Sequence, residues 1–229
     1  MCIRDSSEVV VSYKWHDLPP GSGLLDLELG RESELTHYDW ITDTTVHDGS
    51  AWAYMKNSKY KTTTDLVHYL IDNVSKNGYM LLNIGPKPDG TIPEEDKNLL
   101  EGIGNWLDVN GEAIFETETW DQYGEGPTKM NEAGPFSDNR AKLIYTAKDF
   151  RFTTKDNFLY ATALGWPSKD FTIESIYKLF DNEIERVELL GSTDKVEWKH
   201  TRDGLHITRP DNKPCEHAYS FKITRKEYL

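Results

Sequence analysis

Val74-Ser75-Lys76-Asn77-Gly78-Tyr79-Met80-Leu81-Leu82-Asn83-Ile84-Gly85-Pro86 joins the end of one element to the whole of the next, and its reading decides the fold. Upstream of it, Leu66, Val67, Leu70, Ile71 and Val74 recur at helical spacing and share one face. Thr62 with Asp65 three residues on gives that helix a capping-box start, and Gly78 sits where a C′ glycine belongs. Tyr79 to Ile84 is an apolar run interrupted at Asn83, which reads as a buried strand. It runs into Gly85-Pro86 and a Pro88-Asp89-Gly90 turn. A second helix starts near Pro93, with Glu94, Glu95 and Asp96 in the first turn, where the helix dipole favours negative charge. Leu99, Leu100, Ile103, Trp106 and Leu107 form its apolar stripe, and Gly111 closes it.

Further toward the N-terminus, Val9-Val10-Val11-Ser12-Tyr13 reads as another buried parallel strand, and Trp40 to Val46 as a second. Strand, helix, strand, helix at this spacing predicts a parallel sheet built from βα units. From about Trp120 the texture changes. Short strand-like runs recur at Ala141–Thr146, Phe158–Leu164, Phe171–Ile176, Ile184–Leu190, Val196–His200, Leu205–Thr208 and Tyr219–Thr224. Asp156-Asn157 and Asp203-Gly204 are turn signals between them. Seven short strands without a helix predict an antiparallel β-sandwich. The fold class is therefore α/β plus all-β, divided near residue 120 into residues 1–119 and 120–229.

The bulk composition narrows the functions open to such a chain. The 229 residues carry a formal charge of -13, which repels phosphate backbones and anionic lipid surfaces. Nucleic acid and membrane insertion are thus disfavoured, and no apolar run approaches the roughly 18 residues that span a bilayer. Neutral substrates such as sugars remain open, and an aromatic content of 7 Trp and 12 Tyr can bury a core and argues against disorder. Cys2 and Cys215 make neither a disulfide framework nor a zinc spacing, and the histidines lack metal-ligand spacing. Residues 1–6 are polar, no signal peptide follows, and a strand begins at once, which reads as a chain entered partway through a domain.

The first half resembles the α-L-fucosidases of glycoside hydrolase family 29. The resemblance rests on Glu8 to Trp15, Leu25-Asp26-Leu27-Glu28, Trp40-Ile41-Thr42-Asp43-Thr44 and Ala51-Trp52-Ala53-Tyr54. It continues through Val74 to Gly78, Leu81 to Pro86, Asp89 to Pro93, and Trp106-Leu107 to Ile114. It spans roughly residues 8 to 128. It implies the end of a (β/α)8-like barrel followed by a β-domain, no metal and no organic cofactor. The implied substrate is a fucosylated glycan, and the implied location extracellular, periplasmic or lysosomal. The implied chemistry is retaining hydrolysis of a terminal fucoside by two carboxyl groups.

The departures from the family pattern bear on those carboxyls. The family's nucleophilic Asp belongs to a strand that precedes residue 8, so the chain alone is expected to be inactive. Leu29 stands where the family commonly has Arg, and Ile41 where some members place the acid/base Glu. Glu28 becomes the candidate acid/base, with orientation of a loop as its alternative. Trp40, Trp52, Asp43 and Asn83 are candidate substrate contacts. For the two Trp residues the alternative is core packing; for Asp43 it is loop capping, and for Asn83 a bond to loop backbone. His16 and His47 lie near strand ends, while Lys56, Lys59 and Lys61 read as a solvated basic cluster. Two other readings compete: a carbohydrate-binding or interaction module using Trp166, Tyr177 and Trp198, and a non-catalytic relative, suggested by Leu29 and Ile41.

Overall fold

The computed structural model describes residues 10–14, 18, 19, 21–49, 51–139 and 142–226. Cys2, Glu8, Val9, Trp15 and His16 lie outside the described residues. Four parallel strands form the first sheet: β1 (Ser12–Tyr13), β2 (Leu24–Asp26), β3 (Trp40–Thr45) and β4 (Gly78–Asn83), in that spatial order. β2 was not foreseen, because a three-residue strand carries too little pattern to register. Helix α1 (Thr63–Ser75) connects β3 to β4, and α2 (Glu94–Asn110) follows β4.

The capping box of α1 is formed, with Thr62 and Asp65 exchanging hydrogen bonds. Its C-terminus corrects the expectation for Gly78. Asn77 holds the left-handed conformation, at φ 71°, and Gly78 already opens β4. A Cβ on Gly78 would lie 2.4 Å from the Trp40 ring, so glycine is required there for close packing. Leu66, Val67 and Ile71 of α1 meet Leu99, Ile103 and Trp106 of α2 in one core, onto which Leu82 and Ile84 pack. Fully burying an aliphatic side chain of this kind contributes about 1.5–3 kcal/mol. Among the described residues, no helix is long and apolar enough to cross a membrane.

Residues from 118 onward form two antiparallel sheets. The larger contains β5 (Glu118–Glu125), β6 (Phe150–Lys155), β7 (Phe158–Ala163), β9 (Ile184–Leu189) and β12 (Tyr219–Arg225), in the order β5-β6-β7-β12-β9. The smaller has the order β10-β11-β8, from β8 (Phe171–Ile173), β10 (Trp198–Thr201) and β11 (Gly204–Ile207). Phe152, Ala161, Phe221 and Ile223 of one share a core with Ile173, Leu205 and Ile207 of the other. The β6–β7 hairpin turns at Asp156, at φ 53°, as its sequence signalled. Residues 142–146 are a loop rather than the expected strand, and β5 and β6 are strands the pattern did not reveal. β6 escaped because both of its faces are covered. Phe150 and Phe152 enter the intersheet core, while Thr153 donates to the Ala113 carbonyl on the other side.

The helical layer and the larger sheet are joined by buried charge. Asp72 of α1 is fully buried and receives Lys76 at 2.9 Å, Arg151 at 2.6 Å and Arg31 at 3.4 Å. Arg31 also pairs with Asp138 at 3.0 Å and lies over the Tyr69 ring. Burial opposes the Asp72 charge, but Lys76, Arg151 and Arg31 outweigh it and hold the carboxyl well below the usual carboxylate range. Around this cluster, the Trp106 indole donates to the Ala218 carbonyl, and Asn110 accepts from the Ser220 amide.

Candidate active site

The register of β2, β3 and β4 sorts their side chains onto two faces. Asp26 lies opposite Ile41, Asp43 opposite Leu81, and Thr45 opposite Asn83. Side chains alternate along a strand, so Asp26, Asp43 and Asn83 share the face turned away from Leu82 and the helices. The ladder continues past β2, since the Leu27 and Leu29 amides donate to the Ile41 and Asp43 carbonyls. Glu28 therefore falls on the same face as Asp26. Functional groups of parallel α/β sheets gather beyond the carboxyl ends of the strands, and these side chains lie toward that end.

Lys14, immediately after β1, collects the carboxylates. Its ammonium lies 2.6 Å from Glu28, 3.4 Å from Asp26 and 3.8 Å from Asp43. Burial works against the ammonium, but the Glu28 hydrogen bond and the three acids raise its pKa overall. Desolvation, a hydrogen bond with Asp26 and the Asp26 charge together push Asp43 up to about 6. One oxygen each of Asp26 and Asp43 is buried with no hydrogen-bond partner among the described residues. The expected result is an Asp43 titration near pH 6 in carbon-detected NMR of the whole chain, moved toward the ordinary Asp range by Asp26→Asn. A midpoint near 4 in the unmodified chain would contradict the raised value.

Glu28 is held from behind. Its carbonyl accepts from the Phe136 amide, and the Leu29 carbonyl accepts from Asp138. Leu29 itself has φ 48° and a fully buried side chain. A bulky residue in that region is an outlier that costs about 1–3 kcal/mol and persists only where its surroundings enforce it. A side chain at position 29 here points into the interior, and Lys14 supplies the cation among the acids.

The other candidates divide. Asn83 donates to the Trp52 carbonyl at 3.1 Å, and Thr45 to that of Ala51 at 2.9 Å, so the loop carrying the half-buried Trp52 folds over the same sheet end. Trp40 is placed elsewhere. Its side chain has no exposed surface and its indole donates to the Lys76 carbonyl at 3.1 Å, which leaves no face to stack on a sugar. The expectation that Trp40 lines the site is corrected, because Gly78 leaves a slot that the indole fills. Lys61 is not a solvated cation either: it donates to Thr44 and the Thr45 carbonyl, and burial lowers its pKa. His47 is fully buried against Tyr60. Sequence reasoning passed over Lys14 and Asp26 as functional groups. The Asp26-Leu27-Glu28 alternation was the signal that both acids share a face. Among the described residues, no group of three or more His, Cys, Asp or Glu side chains is arranged to hold a metal ion.

The comparisons give this arrangement, a parallel sheet with acids at its strand ends followed by antiparallel sheets, its class: its relatives are glycoside hydrolases. The α-L-fucosidase family model matches residues 2–112, and that of the α-L-fucosidase C-terminal domain matches residues 142–224. The chain belongs to the α-L-fucosidase family. Plasma α-L-fucosidase of Pongo abelii is 31% identical over 198 residues, covering 83% of this chain and 38% of that protein. Tissue α-L-fucosidase of Rattus norvegicus is 29% identical over 203 residues, covering 85% and 39%. The chain thus spans about two fifths of the length of these relatives. The crystal structure of Thermotoga maritima α-fucosidase superposes with a TM-score of 0.64 at 27% identity, over 84% of this chain and 41% of that one. α-L-Fucosidase isoenzyme 1 from Paenibacillus thiaminolyticus gives 0.68 at 22% identity, over 88% and 45%, a likeness of fold alone.

Proposed function

We propose that residues 1–119 are the closing part of a (β/α)8-like barrel, residues 120–229 a β-sandwich, and the whole the acid/base half of a retaining exo-α-L-fucosidase. The observation that carries this reading is the cluster of Glu28, Asp43 and Asp26 around Lys14. Retention requires two carboxyl groups about 5–5.5 Å apart with the anomeric carbon between them. Asp26 and Asp43 fit that demand less well, because they crowd together about the Lys14 ammonium and the Asp26 carboxyl helps hold Asp43 up to about 6. Glu28, two residues past the end of β2, is the most exposed of the three acids, which supports it as the group that protonates a departing oxygen. Asp43 and the loop at Trp52 then contact the sugar, and Asn83 holds that loop in place. The substrate is a fucosylated glycan.

This reading takes the opposing nucleophile to lie outside the Lys14 cluster, so residues 1–229 alone are expected not to turn over. The test is release of nitrophenol from a nitrophenyl α-L-fucoside by the purified chain. Release no greater than a heat-killed control is expected; clear hydrolysis would mean that the Lys14 cluster is a complete site.

A further inference from the structure

Remote from Lys14, the two antiparallel sheets part at one end around a cavity of about 520 Å³, a size that holds a small molecule. Its floor is apolar, from Leu159, Ile176, Ile184 and Ile223. Its walls combine the Trp120 ring and the half-exposed Tyr177 with planar polar side chains: Asp121, Gln122, Glu183, His200 and Arg225. Two of these side chains each keep one atom without a hydrogen-bond partner among the described residues. The His200 ring is held by the backbone of Ile176 and Tyr177, yet its Nε2 is buried and unbonded among the described residues. Arg225 donates through Nη2 to Thr154 and the Asp156 carbonyl, yet its Nε is buried and unbonded as well.

The mixture selects the ligand's chemistry. An anionic ligand would suit Arg225 but meet Asp121 and Glu183; a cation would meet Arg225 and Lys226. A hydroxyl both donates and accepts, so it satisfies carboxylates, a guanidinium nitrogen and an imidazole alike. Aromatic faces and an apolar floor suit the C–H faces of a sugar ring. We propose that this cavity is a second binding site, for a neutral oligosaccharide, separate from the Lys14 cluster. Of the three aromatics that suggested a binding module, Tyr177 lines it, whereas Trp166 and Trp198 pack against the intersheet core.

The experiment titrates the whole chain with lactose, 2′-fucosyllactose and octanoate, read by calorimetry and by NMR shifts of Tyr177 and His200. Saturable binding of either sugar is expected, weakened roughly tenfold or more by Tyr177→Ala and by His200→Ala. Tyr177 is half exposed, so its variant folds even where that of His200 does not. Lactose carries no fucose, so its binding reports on this cavity apart from the proposed fucosidase site. The proposal is overturned by sugars that leave the two signals unmoved, by lactose binding that Tyr177→Ala leaves intact, or by octanoate occupying the cavity while both sugars do not.

Discussion

Replacing Asp72 by Asn lowers the unfolding free energy by about 3–5 kcal/mol, the usual result of removing one member of a buried ionic group. The amide keeps the shape but leaves Lys76, Arg151 and Arg31 buried with Asp138 as the remaining acid of the group. The pH dependence has a definite sign. The folded-state pKa of Asp72 is depressed, so its stabilisation is complete above the unfolded value of about 3.9 and is lost as pH falls toward the lower folded value. Urea denaturation should therefore show the two proteins far apart at pH 7 and converging in acid. A constant gap down to low pH would mean that the loss comes from packing rather than charge. Asp72 also bridges layers, since Arg151 belongs to β6 and Arg31 to the segment after β2. The variant should loosen the seam between them and separate one unfolding transition into two.

Glu28→Gln gives the second large effect. On the proposed reading, the measurement is made after joining this chain to the N-terminal part of a family member's barrel. Turnover is expected to fall about 10²–10⁴-fold, the range for a lost general acid/base. The fall is larger for a glycan than for a nitrophenyl fucoside, whose leaving group needs no proton. Azide, a nucleophile that needs no general base, should restore part of the second step. Equal losses on both substrates, without azide rescue, would reduce Glu28 to a residue that orients its loop.

Helices and long strands were legible because their periodicity spans several turns. Thr62 and Asp65 marked the start of α1, and Leu99, Ile103 and Trp106 its partner face. What escaped was set by tertiary contact. β2 is too short to show alternation, and β6 hides its polar positions, Arg151 and Thr153, under the helical layer. Gly78 looked like a cap, although the reason for glycine is an indole 38 residues upstream in sequence. The site was half visible. Glu28, Asp43, Trp52 and Asn83 do come to one end of the sheet, while Lys14 as their organiser required the register of three strands. Trp40 misled because a tryptophan near a strand end looks the same in sequence whether it faces solvent or a slot in the core.

On the proposed reading, the Lys14 cluster would also act as a charge filter. Three acids against one ammonium leave an excess of negative charge, even when Asp43 keeps its proton below pH 6. A uronic or sulfated ring entering that end of the sheet meets repulsion at short range in a partly dehydrated setting, where it is poorly screened. Above pH 6 the excess grows as Asp43 ionises, so discrimination against acidic sugars steepens with alkalinity while an uncharged ring enters unhindered.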